Sequence, residues 1–373
     1  MTRNPSHAMQ ATASHDERAR QDFVGALKLY SGRRLRPGNR AFFAAEAAPD
    51  YAREHGHPPK TEAEITEAMR SNLHYQTWSA LHRSGQEQMW DAVTDTLLRD
   101  TPRLEMNYRQ LTENPARRGS LELDPDFEIP AALRETQIHL QPGTYALDRN
   151  PQDFLAGALY EAGGALYSRA QGIGTTESKA EVMMRFLGAR FPGFKPARML
   201  DIACSAGSSS VPYALALPEA EVHAIDVAPG LLRYAHARAE ALGAAVHFHQ
   251  RDAASTGFPD AHFDLVVSHN AMHEMPTATV AAMFRESYRL LKPGGVCLHQ
   301  DVPLRYENLG AYDRFEWGWD KTYNGEPYWV DYATNDCRSM LLDAGFSEDE
   351  IFVGFADQVD KSIKWYVACG RKS

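Results

Sequence analysis

Three aspartates stand where short apolar runs give way to small or polar residues. Asp201 lies in Leu200-Asp201-Ile202-Ala203-Cys204-Ser205-Ala206-Gly207, Asp226 closes Val222-His223-Ala224-Ile225, and Asp252 follows Val246-His247-Phe248-His249-Gln250-Arg251. A carboxylate at the end of a buried strand can accept both hydroxyls of a ribose, and one at the rim of the same crevice can accept from an exocyclic amine. The small side chains from Ala203 to Gly207 let a ligand approach the backbone, and Gly207 can take a positive φ that most residues resist.

Histidines gather at two further run ends. His269 and His273 are spaced i, i+4 with Glu274 adjacent, after Phe263-Asp264-Leu265-Val266-Val267-Ser268, and His299-Gln300-Asp301 follows Val296-Cys297-Leu298. His269, His273, His299 and Asp301 are therefore candidate bases for a substrate hydroxyl, with a packing or backbone-bonding role as the alternative for each. The i, i+4 pair also suits metal ligands. Its order is not His-Glu-x-x-His and no third ligand stands nearby in sequence, so no metal is expected.

Aromatic residues are dense from Tyr306 to Tyr332, and Trp317, Trp319, Tyr323 and Trp329 are the candidate acceptor wall, with Glu316 and Asp320 among them. Such a wall suits an aromatic or polyketide-like molecule, and rings with carboxylates also suit a cationic amine. Tyr160 and Tyr167 sit on a preceding helical segment placed to close over a ligand.

The elements that must position these groups follow two grammars. Residues 1–20 are polar and without period and read as a disordered tail. From 21 to 190 the pattern is mostly helical: Phe23, Leu27 and Tyr30 share a face, Thr61 and Glu64 form a capping box, and Met89, Trp90, Val93, Leu97 and Leu98 mark a later helix. Residues 117–151, rich in proline and turn signals, read as loops and a linker, and Arg33, Arg34 and Arg36 beside Pro37-Gly38 read as a solvated loop. From 191 to 373 short apolar runs alternate with helical ones, which predicts an α/β domain with a parallel sheet, carrying the aromatic insertion at 303–332.

With 373 residues, 43% hydrophobic and 24% charged, the composition is that of an ordinary globular chain with room for two domains. A formal net charge of -10 without a dense basic cluster argues against nucleic acid. No apolar run reaches the roughly 20 residues of a membrane span, and the start lacks a signal-peptide core, so a cytoplasmic location is expected. Four scattered cysteines without a C-x-x-C pair argue against a disulfide framework or a zinc site.

The motifs in their order, LDIACSAG, the strand ending in Asp226, Arg251-Asp252-Ala253, FDLVVSHNAMHEMP and LLKPGG, resemble the class I S-adenosylmethionine-dependent methyltransferases of small-molecule type, which include the ubiquinone and menaquinone enzymes and many natural-product enzymes. The resemblance runs from about Lys195 to the C-terminus. It implies a Rossmann-like seven-stranded sheet and S-adenosyl-L-methionine as cofactor. It further implies that Asp201, Ala203, Ser205 and Gly207 face the methionine portion, Asp226 the ribose, Asp252 and Ala253 the adenine, and Ser268 the sulfonium side, with Tyr167 closing over it. Where the family usually carries glycines, this chain has Ala203 and Ser205.

Sulfonium methyl transfer is an in-line displacement that needs alignment and exclusion of water. The expected acceptor is a small molecule methylated at oxygen, with carbon, nitrogen or sulfur as rivals, and the helical half is expected to build the acceptor pocket. The alternatives for that half are a stabilising cap or a homodimer surface. The rival of another class is a noncatalytic interaction protein with a degenerate cofactor site.

Overall fold

The computed structural model describes residues 5–171, 178–361 and 363–373. Eight strands form one sheet: β1 Ser120–Glu122, β2 Arg198–Ile202, β3 Glu221–Asp226, β4 His247–Gln250, β5 Phe263–His269, β6 Leu291–Asp301, β7 Ile351–Asp357 and β8 Lys364–Arg371, in the order β1-β4-β3-β2-β5-β6-β8-β7. All neighbours are parallel except β6/β8 and β7/β8. Seven strands come from the apolar runs after residue 191. The eighth, β1, adds an edge that the loop-like composition of 117–151 does not announce. It pairs with β4 through Ser120↔His247 and Glu122↔His249.

The central strands are buried on both faces, which explains their unbroken apolar runs. Leu200, Ile202 and Val266 pack with Met283 and Phe284 of the helix Thr277–Leu290. Met199, Val222 and Val267 pack on the other side with Met183, Val211 and Leu232. The chain runs from β2 through β3 and β4 to one side, then β5 and β6 to the other, so the order reverses at the β2/β5 boundary. A crevice at the carboxyl ends of those strands is where such sheets bind ligands.

The helical half covers that end. A 40-residue helix, Leu73–Thr112, and the helix Leu155–Gln171 carry Met89, Trp90, Val93, Leu97 and Leu159 into one cluster with Tyr234 of the helix Pro229–Ala241. Gly157 permits this crossing, since a β-carbon there would stand 2.3 Å from Tyr234 Cβ. The capping box at Thr61 and Glu64 forms as the sequence predicts.

Three expectations are corrected. Residues before 21 are not a loose tail where they are described: Met9 is fully buried, His7 reaches Glu161 at 3.0 Å, and a helix begins at His15. Arg99 and Arg103 hold the backbone carbonyls of Thr12, Ala8 and Gln10, a long-range fixation that polar composition does not reveal. The helix His15–Tyr30 turns Val24 and Lys28 inward and leaves Phe23 and Tyr30 exposed. The Arg33 to Arg36 stretch is helical rather than a loop, and Arg36 stacks on Trp317 and pairs with Glu316.

Among the described residues no helix is long and apolar enough to cross a membrane.

Candidate active site

Two adjoining cavities open at the carboxyl ends of β2, β3, β5 and β6. One, of about 170 Å³, is lined by Asp226, Arg251, Asp252 and Ala253 together with Leu133, Ile138 and Leu231. The other, of about 230 Å³, is lined from both halves of the chain, by Met89, Trp90, Tyr160 and Tyr167 on one side and His269, His273, Trp329 and Trp365 on the other. Tyr145, Ala203, Ser205, Asn270 and Glu274 belong to both walls.

The turn after β2 is built under strain. Ala203 and Ser205 take φ of 55° and 49°, alongside Gly207 at 71°. Left-handed backbone costs a residue with a β-carbon roughly 1 to 2 kcal/mol, so two of the three positions work against their side chains. Asp226 explains part of the compensation. Its two oxygens accept the backbone N–H of Ser205 at 2.9 Å and of Ala228 at 3.0 Å. Burial raises its carboxyl to about 6 against the pull of those N–H groups. Asp252 caps its own loop through Ala254 N at 2.7 Å.

Several sequence-predicted residues stand elsewhere. Asp201 is fully buried under the turn; its Oδ2 accepts from the hydroxyls of Ser209 and Ser210 at 2.7 and 2.6 Å, its Oδ1 has no hydrogen-bond partner among the described residues, and it is not among the cavity-lining residues. Gly207 faces Ala235 and Phe248, where a β-carbon would come within 3.3 and 3.5 Å, and its carbonyl accepts from Arg238 at 2.6 Å. Its smallness serves packing rather than ligand approach. Ser268 and His299 form a buried pair at 2.8 Å with Ser287 on the far ring nitrogen at 3.2 Å, so His299 is a core histidine, held by burial at about 3, and neither lines a cavity. Their side chains lie under the helix Thr277–Leu290, with Phe284 against the His299 ring.

The aromatic insertion is mostly structural. Trp319 packs on Trp78 and donates to Ser79 Oγ at 2.8 Å, Tyr323 stacks on Trp319 and is 40% exposed, and Trp317 lies under Arg36. Trp329 alone of the four lines the larger cavity, with its ring edge-on to His273. These rings fasten the insertion to the helical half, a partner that sequence spacing alone does not identify.

His269 lines the cavity with both nitrogens engaged, by Gln300 Oε1 and Tyr213 OH, each at 3.1 Å, and burial holds it at about 3. His273 is different. Its Nδ1 lies 2.6 Å from Asp301 Oδ1, and its Nε2 faces Glu274 and Glu326 at 3.8 and 3.9 Å. Burial opposes its charge, but Asp301, Glu326 and Glu274 outweigh that and lift it to about 9. Asp301 is wholly buried and does not face the cavity, so it acts through His273 rather than on a substrate.

Sequence reasoning missed His139 and Glu326. His139 stands at φ 52° in the turn Ile138–Leu140, with Glu326 Oε1 at 2.9 Å on Nδ1 and Glu274 Oε1 at 3.3 Å on Nε2. Burial works against its charge, and the two glutamates push it well above the ordinary histidine range. The signal available was a histidine beside the Gln141-Pro142-Gly143 turn. Nothing local marked it as a partner of His273.

Residues 199–295 match a family model described as a methyltransferase domain. The chain is 37% identical over 108 residues to a demethylmenaquinone methyltransferase of Thermus thermophilus, covering 29% of this chain and 48% of that protein. It is 35% identical over 119 residues to a trans-aconitate 2-methyltransferase of Methylobacterium nodulans, covering 32% and 43%. Among solved structures, a phosphoethanolamine N-methyltransferase 2 of Haemonchus contortus aligns at 17% identity and a TM-score of 0.38, over 51% of this chain and 52% of that one. The chain spans less than half the length of these curated relatives. Residues 199–295 therefore carry a methyltransferase domain. The helical half, which supplies much of the larger cavity, lies outside the family match.

Proposed function

We propose that this protein is an S-adenosyl-L-methionine-dependent methyltransferase whose acceptor is a small molecule methylated at oxygen, of aromatic or polyketide-like character. The observation that carries this reading is the pair of adjoining cavities, one walled by strand-end carboxylates and the other by aromatic rings around a carboxylate-held histidine.

The residues present fit the cofactor. Asp226 lines the smaller cavity as the acceptor for the ribose hydroxyls, Asp252 and Ala253 border the adenine end, and Ala203 and Ser205 lie between the two cavities. Bound there, the cofactor supplies an electrophilic methyl group on a good leaving group. The chain's part is alignment and proton removal. Trp90, Tyr160, Tyr167 and Trp329 supply apolar faces that hold a planar acceptor and exclude water. The polar end made by His139, His273, Glu274 and Glu326 receives the acceptor hydroxyl and its proton.

Incubation with methyl-labelled cofactor and a metabolite extract tests the reading, followed by mass analysis. The expected product gains one labelled methyl on oxygen and disappears with His273→Ala. Binding of the cofactor with no labelled product from any acceptor class, or label on carbon or nitrogen, contradicts it.

A further inference from the structure

The polar end of the larger cavity has the geometry of a divalent cation site. Both imidazoles have Nδ1 against a carboxylate, His273 on Asp301 at 2.6 Å and His139 on Glu326 at 2.9 Å. Both then turn Nε2 toward the same oxygen, Glu274 Oε1, at 3.8 and 3.3 Å. All three candidate ligand atoms lie within 4.8 Å of one another. Ligand bonds of about 2.0 to 2.2 Å place neighbouring donors about 3 to 3.6 Å apart, so small side-chain shifts suffice. Metal-binding histidines almost always donate their second nitrogen to a carboxylate or carbonyl, which fixes the ring and raises its basicity. Here both rings are held that way.

A second observation points into the same space. Glu326 is 2% exposed at its side chain, lines the cavity, and its Oε2 has no hydrogen-bond partner among the described residues, lying 3.9 Å from His273 Nε2. A buried carboxylate oxygen left unpaired is costly unless something positive completes it.

We propose that His139, His273 and Glu274 bind one divalent transition cation of the zinc class, with Asp301 and Glu326 as the carboxylates that orient the two imidazoles. Two nitrogen donors and one carboxylate favour such an ion over magnesium or calcium, which prefer oxygen donors throughout. Three protein ligands leave a position open to the cavity, the arrangement of a reactive rather than a purely structural site. One ligand comes from the helical half and two from the loop after β5, so the ion would also tie the halves together at the crevice. Its role as holder of the acceptor oxygen rests on the proposed function; the site itself stands on the side-chain geometry. With the ion bound, Nε2 of His273 is a ligand and takes no proton; the cation instead lowers the pKa of an oxygen bound to it and so favours the nucleophilic form.

Chelator-treated full-length protein is titrated with Co²⁺, read by visible d–d absorption, and with Zn²⁺ in competition. One equivalent of Co²⁺ giving the strong absorption of a four- or five-coordinate ion, displaced by Zn²⁺, is the expected result. His139→Ala and the charge-only variant Glu274→Gln should abolish it, and Glu326→Gln should weaken it about 10- to 100-fold. Unchanged circular dichroism and thermal melting identify the variants that remain folded, and S-adenosylhomocysteine titration reports the cofactor end separately. Absent stoichiometric binding, or binding that folded His139→Ala and Glu274→Gln leave intact, overturns the site. Methyl transfer that persists in chelator-stripped protein together with absent Co²⁺ binding overturns the cation while the methyltransferase reading stands. Co²⁺ binding without methyl transfer to any acceptor supports the cation and counts against that reading.

Discussion

Asp301 holds Nδ1 of His273 at 2.6 Å while its other oxygen accepts the backbone N–H of Met272 at 2.7 Å and of His273 at 3.2 Å. One carboxylate at the end of β6 thus fixes both the loop after β5 and the ring that the loop presents to the cavity.

His273→Ala should lower methyl transfer about 10²- to 10⁴-fold with cofactor affinity nearly unchanged, because the ring faces the acceptor end. Asp301→Asn should move the pH profile as well as the rate. In the metal-free protein His273 must be neutral to take a proton, so transfer there should rise with pH toward about 9. Without the carboxylate the ring titrates lower, and the midpoint should shift to lower pH. An unshifted profile in folded Asp301→Asn counts against the pairing.

The turn at Ala203 and Ser205 predicts an uncommon sign for a glycine substitution. Ala203→Gly should relieve the left-handed strain and stabilise the protein by about 1 kcal/mol, where glycine ordinarily destabilises. Gly207→Val should destabilise by about 2 kcal/mol or more, from its φ of 71° and the close approach to Ala235. Urea denaturation reads both.

Glu161 fastens the halves. Its carboxylate takes Tyr234 OH at 2.5 Å, His7 at 3.0 Å and Arg238 at 3.3 Å, all buried. Glu161→Ala leaves Arg238 buried without its partner and should cost about 3 to 5 kcal/mol. A loss below about 1 kcal/mol would show the cluster to be dispensable.

Stability should fall on both sides of neutrality. His273, raised from 6.5 to about 9, favours the fold fully below pH 6.5 and loses that contribution as pH rises through about 9. His269 and His299, depressed to about 3, favour the fold above 6.5 and lose that contribution as pH falls toward 3. Each contributes a slope of about 1.4 kcal/mol per pH unit within its window. Replacing His299 with Asn should flatten the acid limb between about pH 6.5 and 3. The same slope in His299→Asn would contradict its buried neutral state.

The sheet was legible because its strands are buried on both faces and spell continuous apolar runs, and two carboxylates of the smaller cavity were legible because Asp226 and Asp252 sit at the ends of those runs. Local alternation did not separate His273, which lines the crevice, from His299, which lies under the helix Thr277–Leu290, because His273 stands in the turn Met272–Glu274 after β5 and His299 within β6. His139 and Glu326 come from a proline-bounded turn and from the insertion, so their meeting at 2.9 Å depends on tertiary packing alone. The face of the helix His15–Tyr30 was read backwards for a related reason: Lys28 goes inward over the Tyr167 ring and onto Gln86, a buried cation that hydrophobic periodicity assigns to solvent.

The most direct test of the account is titration of S-adenosyl-L-methionine into the full chain and into Asp226→Ala by calorimetry. The account predicts one site per chain, weakened about tenfold to over a hundredfold in Asp226→Ala by loss of charge-assisted hydrogen bonds worth about 1.5 to 3 kcal/mol. No binding to the unaltered protein, or equal binding to the folded variant, would contradict it.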